Sequence, residues 1–188
     1  LQEMVDVDGP SPQGAPFSLV LGIGDDAAAW HAREATELAT TDTLVDGVHF
    51  RHDFISWTDL GWKAMSVNFS DIAAMVGMPL YALVTLGLKP DTAVADVEAL
   101  YRGILSACRE YGCRIAGGDL VRSPVTFITV AMTGVASGHL LTRHEAQPGD
   151  VVAVTGHLGC AAGGLGALLQ GHTSEGESDR HMHEAHAH

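Results

Sequence analysis

Carboxylates beside glycines and hydroxyls recur along this chain, each at or next to an apolar run. Thr40-Thr41-Asp42-Thr43 is followed by Asp46-Gly47 and then by His49-Phe50. No basic residue lies between Glu34 and Arg51 to pair these acids along the sequence. Gly22-Ile23-Gly24 runs into Asp25-Asp26, Asn68-Phe69-Ser70 into Asp71, and Gly117-Gly118 into Asp119. Hydroxyl-flanked acids at strand ends suit hard divalent cations, above all magnesium held for a phosphate group. Any one of these stretches is equally an edge strand entering an acidic turn. Four together argue more, because acids are seldom buried without a partner and converging acids repel unless cations sit between them. The expectation is a multi-metal site where Asp26, Asp42, Asp71 and Asp119 meet.

The whole-chain charge narrows the chemistry. A formal net charge of −13 over 188 residues argues against nucleic acid as a partner, since phosphate backbones need a Lys/Arg surface. Phosphate chemistry is compatible only where metal ions supply positive charge. Lys63 and Lys89 are the only lysines, which leaves no lysine-rich phosphate clamp. Three cysteines without a C-x-x-C spacing read as reduced thiols of a cytosolic protein. No signal peptide opens the chain, and the longest uncharged stretch, 72–88, is broken by Gly77 and Pro79, which makes a membrane span unexpected. There is no P-loop, dinucleotide fingerprint, zinc-finger spacing or G-x-S-x-G elbow.

The elements that must position these acids are legible from periodicity. With 46% hydrophobic residues the chain is globular, of α/β (α+β) class with helices packed on a mixed sheet. Residues 1–16 are expected to form a loose lead-in, 17–137 the main domain, 138–171 the start of a second domain, and 172–188 a His-rich flexible tail. Strands are expected at 17–23, 38–43, 80–88, 114–116, 125–136 and 150–155, with 27–30 and 48–50 extended and 31–37 a polar turn. Ser56 and Asp59 stand at N-cap and N3 of a buried helix reaching about residue 76, in which Asn68 and Asp71 share a face. A second helix spans 92–111 and is capped by Gly112, and a small-residue helix covers 156–170.

These stretches carry a family resemblance. GIGDDAA at 22–28, TTDTLVDGVHF at 40–50, KAMSVNFSDIAAMVGMP at 63–79, AGGDLVRSP at 116–124, LLTRHEAQPGD at 140–150 and VVAVTGHLG at 151–159 appear in order. The chain resembles the thiamine-monophosphate kinases, of the superfamily of aminoimidazole ribonucleotide synthetase. The resemblance implies a two-domain α/β fold that forms a homodimer through the strands of its first domain, 17–137, which would bind ATP and Mg²⁺. It implies direct transfer of the ATP γ-phosphoryl onto thiamine monophosphate, giving thiamine diphosphate. Asp26, Thr40, Thr41, Asp42, Asp71 and Asp119 would ligate several Mg²⁺ ions, Gly118 and Arg143 would contact ATP, and His49 the thiamine phosphate. Asp25 and Asp46 would take supporting roles. No residue would act as nucleophile or general base, because the acceptor phosphate is already anionic.

The family's first helix and its later D-x-S-D-G-L motif are not found; Ser178-Asp179-Arg180 is no match. The chain therefore looks like a fragment, or one whose second domain is mostly absent. Two other readings stay open: a sister ATP-dependent synthetase of the same superfamily, and a truncated non-catalytic module that binds nucleotide and dimerises.

Overall fold

The structure is a computed structural model that describes residues 18–21, 29–31, 36–136, 141, 146–154 and 156–171. The chain divides into two compact units, Leu1–Leu141 and Thr142–His188. The first holds a short antiparallel pair, β1 (Ser18–Leu21) and β2 (Ala29–His31), and a four-stranded mixed sheet. The sheet is built from β3 (Thr36–Val45), β4 (Gly77–Leu88), β5 (Arg114–Arg122) and β6 (Phe127–Ala136), in the order β3-β6-β4-β5. β6 pairs antiparallel with both β3 and β4, while β4 and β5 run parallel across a helical connection. Helix α1 (Trp57–Ala74) joins β3 to β4, and α2 (Val94–Tyr111) joins β4 to β5.

The pleat sorts the side chains. Ile128, Val130 and Met132 of β6, Ala82, Val84 and Leu86 of β4, and Leu44 of β3 are buried in one core with α1 and α2. The alternate residues, among them Thr41, Thr43, Leu83, Thr85, Thr129 and Ala131, lie on the other face, which neither helix covers, and are half-buried or exposed. Leu60 and Met65 of α1 interleave with Leu100 and Ile104 of α2 in the layer above. Two glycines let these helices meet: a side chain on Gly61 would overlap the Leu100 carbonyl oxygen, and one on Gly103 the Thr58 carbonyl oxygen.

Helix ends follow local chemistry. The Ser56 hydroxyl accepts from the Asp59 amide at 3.1 Å and donates to its carboxylate at 2.6 Å, closing α1 at its start. α2 ends where Gly112 turns left-handed at φ 73° and the Cys113 amide donates to the Cys108 carbonyl at 3.0 Å. All three cysteines are free thiols, and the hydrogen bond that the Cys113 thiol shares with Cys108, together with burial, pushes it well above its ordinary value.

Several expected boundaries move. β3 starts at Thr36, inside the stretch expected to be a turn, because Thr36 and Glu37 pair with Ala136 and Val135. Residues 48–50 are not extended; 46–50 is a turn closed by a bridge between Asp46 and Phe50. β5 does not stop at Ala116 but runs through Gly117-Gly118-Asp119 to Arg122, paired with β4 throughout. The 150–155 strand does not form over the described residues 150–154: Val151 and Val152 are 92% and 93% exposed, and no strand among the described residues pairs with them. In this second unit the described helix is α3, Cys160–Leu169. The lead-in and the His-rich tail lie outside the described residues.

Helix α1 also ends earlier than expected, at Ala74, and Val76 makes the exit at φ 57°. A β-branched residue is strained there. The neighbouring Gly77 cannot take over the turn and accept a side chain itself, because a Cβ on it would overlap Leu38 and lie 3.1 Å from Ile72 Cγ2. Val76→Gly is therefore expected to stabilise the fold by about 1 kcal/mol, with relief of the left-handed strain outweighing glycine's chain entropy. Thermal denaturation checks it: the midpoint should rise by about 2–4 °C, and a fall would count against the strain.

Candidate metal and substrate site

Strand β3 and helix α1 bring two of the acidic motifs together. The Thr40 hydroxyl donates to the Asp71 carboxylate at 2.7 Å, joining residues 31 apart in sequence. Thr40, Asp42 and Leu44 alternate onto the same face of β3, and Leu44 is buried beneath α1. Asp42 thus shares with Thr40 and Asp71 the notch between the β3 edge and α1. Among the described residues neither Asp42 nor Asp71 is paired with lysine or arginine. The donors are carboxylate and hydroxyl oxygens, which fit a hard dication such as Mg²⁺ and suit no softer metal. Thr41 faces the other way, beside Thr43, whose hydroxyl lies 2.8 Å from that of Thr129.

Asp119 is elsewhere. It stands on β5, in register with Thr85 of β4, which is in register with Thr129 of β6 and so with Thr43 of β3. Three strand spacings separate the β3 and β5 edges, about 14 Å at the backbone. Among the described residues no group of three or more His, Cys, Asp and Glu side chains is placed to share an ion. The expected single meeting point of acids is therefore not formed by the described residues of one chain. Asp25, Asp26 and Arg143 lie outside the described residues. Gly118 has a structural reason to be glycine: any side chain there would overlap the Val84 carbonyl oxygen, so the parallel approach of β5 to β4 requires its absence.

The turn after β3 finds a basic partner far along the sequence. Lys89, at the end of β4, places its ammonium 2.7 Å from the Asp46 carboxylate. The two are 43 residues apart, and only the pairing of β3 and β4 on either side of β6 aligns them. Asp46 is thus an ion-pair partner rather than an open metal ligand. His49 is exposed and its Nδ1 accepts from the Val45 amide at 3.1 Å. An Nδ1 that accepts carries no proton, so the ring proton sits on Nε2, the nitrogen this hydrogen bond does not occupy. On α1 Lys63 is half-buried, and burial lowers its pKa below the ordinary lysine value.

The family model of the AIR synthase related protein N-terminal domain matches residues 24–136, a span that contains Asp26, the β3 motif, Asp71 and Asp119. The chain belongs to this family. Within the AIR synthase related family, the thiamine-monophosphate kinase of Escherichia coli (strain K12) is 43% identical over 152 residues, covering 80% of this chain and 46% of that protein. That of Bacillus subtilis (strain 168) is 38% identical over 156 residues, covering 81% and 48%. A solved structure, AaThiL complexed with AMPPCP and TMP, is similar with a TM-score of 0.76 and 37% identity over 80% of this chain and 48% of that one. The hydrogenase maturation protein HypE, at TM-score 0.66 and 18% identity, shares the fold. The chain spans about half the length of the curated relatives it matches.

Proposed function

We propose that this chain supplies the metal- and nucleotide-binding portion of a thiamine-monophosphate kinase, which moves the γ-phosphoryl of ATP onto thiamine monophosphate. The observation that carries it is the Thr40–Asp71 hydrogen bond: it joins two of the motifs on which the family resemblance rests into one oxygen-donor notch. A relative of the same family is known with AMPPCP, a non-hydrolysable ATP analogue, and TMP.

Transfer between two phosphates asks little covalent work of a protein and much charge neutralisation and alignment. Asp42, Asp71 and Thr40 would hold Mg²⁺ in the notch, with Asp26 and Asp119 completing the family's ligand set, while Thr41, on the opposite face of β3, is not placed to add its hydroxyl there. Bound there, Mg²⁺ would offset the mutual repulsion of donor and acceptor phosphates. The Thr40 hydroxyl orients the Asp71 carboxylate through one oxygen and leaves the second unused by that bond. Gly118 and Arg143 are assigned to ATP, and His49 donates from Nε2–H to the acceptor phosphate. No general base is required, because that phosphate is anionic near neutral pH.

The placement of Asp119 on the far edge supports a homodimer. A two-fold arrangement that lays the β5 edge of one protomer beside the β3 edge of its partner brings Gly118 and Asp119 to the partner's Asp42 and Asp71, and does so twice. It would also cover the sheet face that α1 and α2 leave open. A cytoplasmic location goes with this reading, in keeping with three free thiols. Among the described residues no helix is long and apolar enough to cross a membrane.

The test is titration calorimetry of the chain with AMPPCP at millimolar Mg²⁺, alongside ADP release with and without thiamine monophosphate. The expected result is AMPPCP binding that vanishes when EDTA removes the metal. Binding that is indifferent to EDTA would reject the magnesium site, and ADP release driven by a different acceptor would reject the kinase.

A further inference from the structure

The geometry points to Lys89 as a positioning residue that, through Asp46, holds the His49 ring with Nε2–H outward. This rests on the reading of His49 as the contact to the acceptor phosphate, and concerns what fixes that contact in place.

The turn that carries His49 is stitched internally. Gly47, at φ 80°, donates its amide to the Phe50 carbonyl at 2.8 Å, and the His49 amide donates to the Val45 carbonyl at 2.9 Å. The Val45 amide in return donates to His49 Nδ1 at 3.1 Å. These bonds fix the shape of the turn but not its tilt against the sheet. Tilt depends on attachments outside the turn, and three of these lie among the described residues. The Asp46 amide donates to the Thr126 carbonyl at 2.9 Å. Phe50 is buried, with its ring edge-on to His52 at 5.1 Å. The third attachment is the Asp46 carboxylate on Lys89.

The third is the one that chemistry can undo. The Asp46 side chain is only 17% exposed, so without the ammonium it is a largely desolvated anion with no counter-charge. It would swing toward water, taking Gly47 with it and pulling Val45 and His49 out of register. Once the Val45–Nδ1 bond is lost, nothing selects the tautomer, and the ring no longer presents a fixed donor to an anion. Lys89 itself is anchored on the other side, where its carbonyl accepts from the Thr92 amide at 3.1 Å and Pro90 stiffens the exit from β4.

Histidine ¹⁵N–¹H correlation spectra of the chain decide the question, with His49 assigned by its disappearance in His49→Gln. In the unmodified chain His49 should give the separated nitrogen signals of a fixed Nε2–H tautomer. Lys89→Met should lose that separation and give averaged signals, while Lys89→Arg, which restores the cation, should keep it. Asp46→Ala removes the same link from the other end and should also lose it, which guards against a folding defect peculiar to Lys89→Met. An unchanged His49 signature in both Lys89→Met and Asp46→Ala would overturn the proposal. Adding thiamine monophosphate to the unmodified chain tests the acceptor contact separately. A shift of the Nε2 signal upholds it, and no shift withdraws the acceptor role while the variants still rule on how the ring is held.

Discussion

Asp71→Asn is expected to lower transfer to thiamine monophosphate by at least about 10²-fold in kcat/KM, on the scale of losing one preorganised electrostatic group at a phosphoryl or acyl centre. The substitution is nearly isosteric. It removes one negative charge and leaves an amide oxygen that still accepts from the Thr40 hydroxyl, so the 2.7 Å link between β3 and α1 survives. What is lost is the anionic oxygen offered to a dication. The effect should therefore appear as weaker Mg²⁺-dependent AMPPCP binding in calorimetry, with the melting temperature nearly unchanged. Thr40→Val does the reverse: the charge stays, but the carboxylate loses its orienting donor, and metal affinity should fall by about 10–100-fold. Asp59→Asn is the control, since Asp59 serves the α1 N-terminus and lies in none of the shared motifs. Undiminished Mg²⁺-dependent binding in Asp71→Asn would remove the notch from the mechanism.

Gly103→Val should be among the most damaging single changes to stability. The α1–α2 crossing is so close that a methyl group at 103 would occupy the space of the Thr58 carbonyl oxygen, with the Trp62 amide 2.9 Å away. Backbone, unlike a flexible side chain, cannot step aside, so the helices must separate, and Leu60, Met65, Leu100 and Ile104 lose their interleaving. Overpacking of this kind costs about 3 kcal/mol or more, which for a chain of this size is about 6–12 °C in melting temperature. Gly166→Ala in α3 is the contrast: nothing lies within 4 Å of that position, and the change should be neutral or slightly stabilising by helix propensity. A melting point for Gly103→Val within a degree or two of the parent would mean the crossing is not tight. The outcome matters beyond stability, because α1 carries Asp71 and α2 sets where α1 lies.

The parts of the fold governed by local rules were legible in the residues. Ser56 and Asp59 announce the start of α1, and Gly112 the end of α2, because each satisfies backbone groups within a single turn. The alternation of Ile128, Val130 and Met132 against Thr129, Ala131 and Thr133 marks β6 and its buried face. What escaped depends on partners distant in sequence. β5 looks finished at its glycines, since Gly117 and Gly118 have weak strand propensity; only the edge of β4, and the close approach Gly118 permits, carry it on to Arg122. Residues 150–154 look like a strand for the opposite reason: apolar content is present, but no pairing partner is among the described residues. Of the candidate site, the motifs and the Thr40–Asp71 encounter were foreseeable as a group of oxygen donors. The Lys89–Asp46 pair was not, because no sequence pattern brings residues 46 and 89 to one end of a sheet. Nor was the location of Asp119, since a strand's place in the sheet order is invisible in its own residues.

That sheet order reaches beyond a single molecule. With the Asp42 and Asp71 oxygens on one margin and Asp119 on the other, an assembly that joins margin to margin makes every reaction centre joint property of two polypeptides. A lesion at Asp42 and a lesion at Asp119 then spoil different halves of the centre. In a mixed pair the two lesions fall together in one centre and leave the other intact, so two inactive alleles can complement in one cell where each fails alone. In such an assembly dilution would have the opposite effect to complementation, because a centre shared between chains would be lost when the chains part, even if each stays folded.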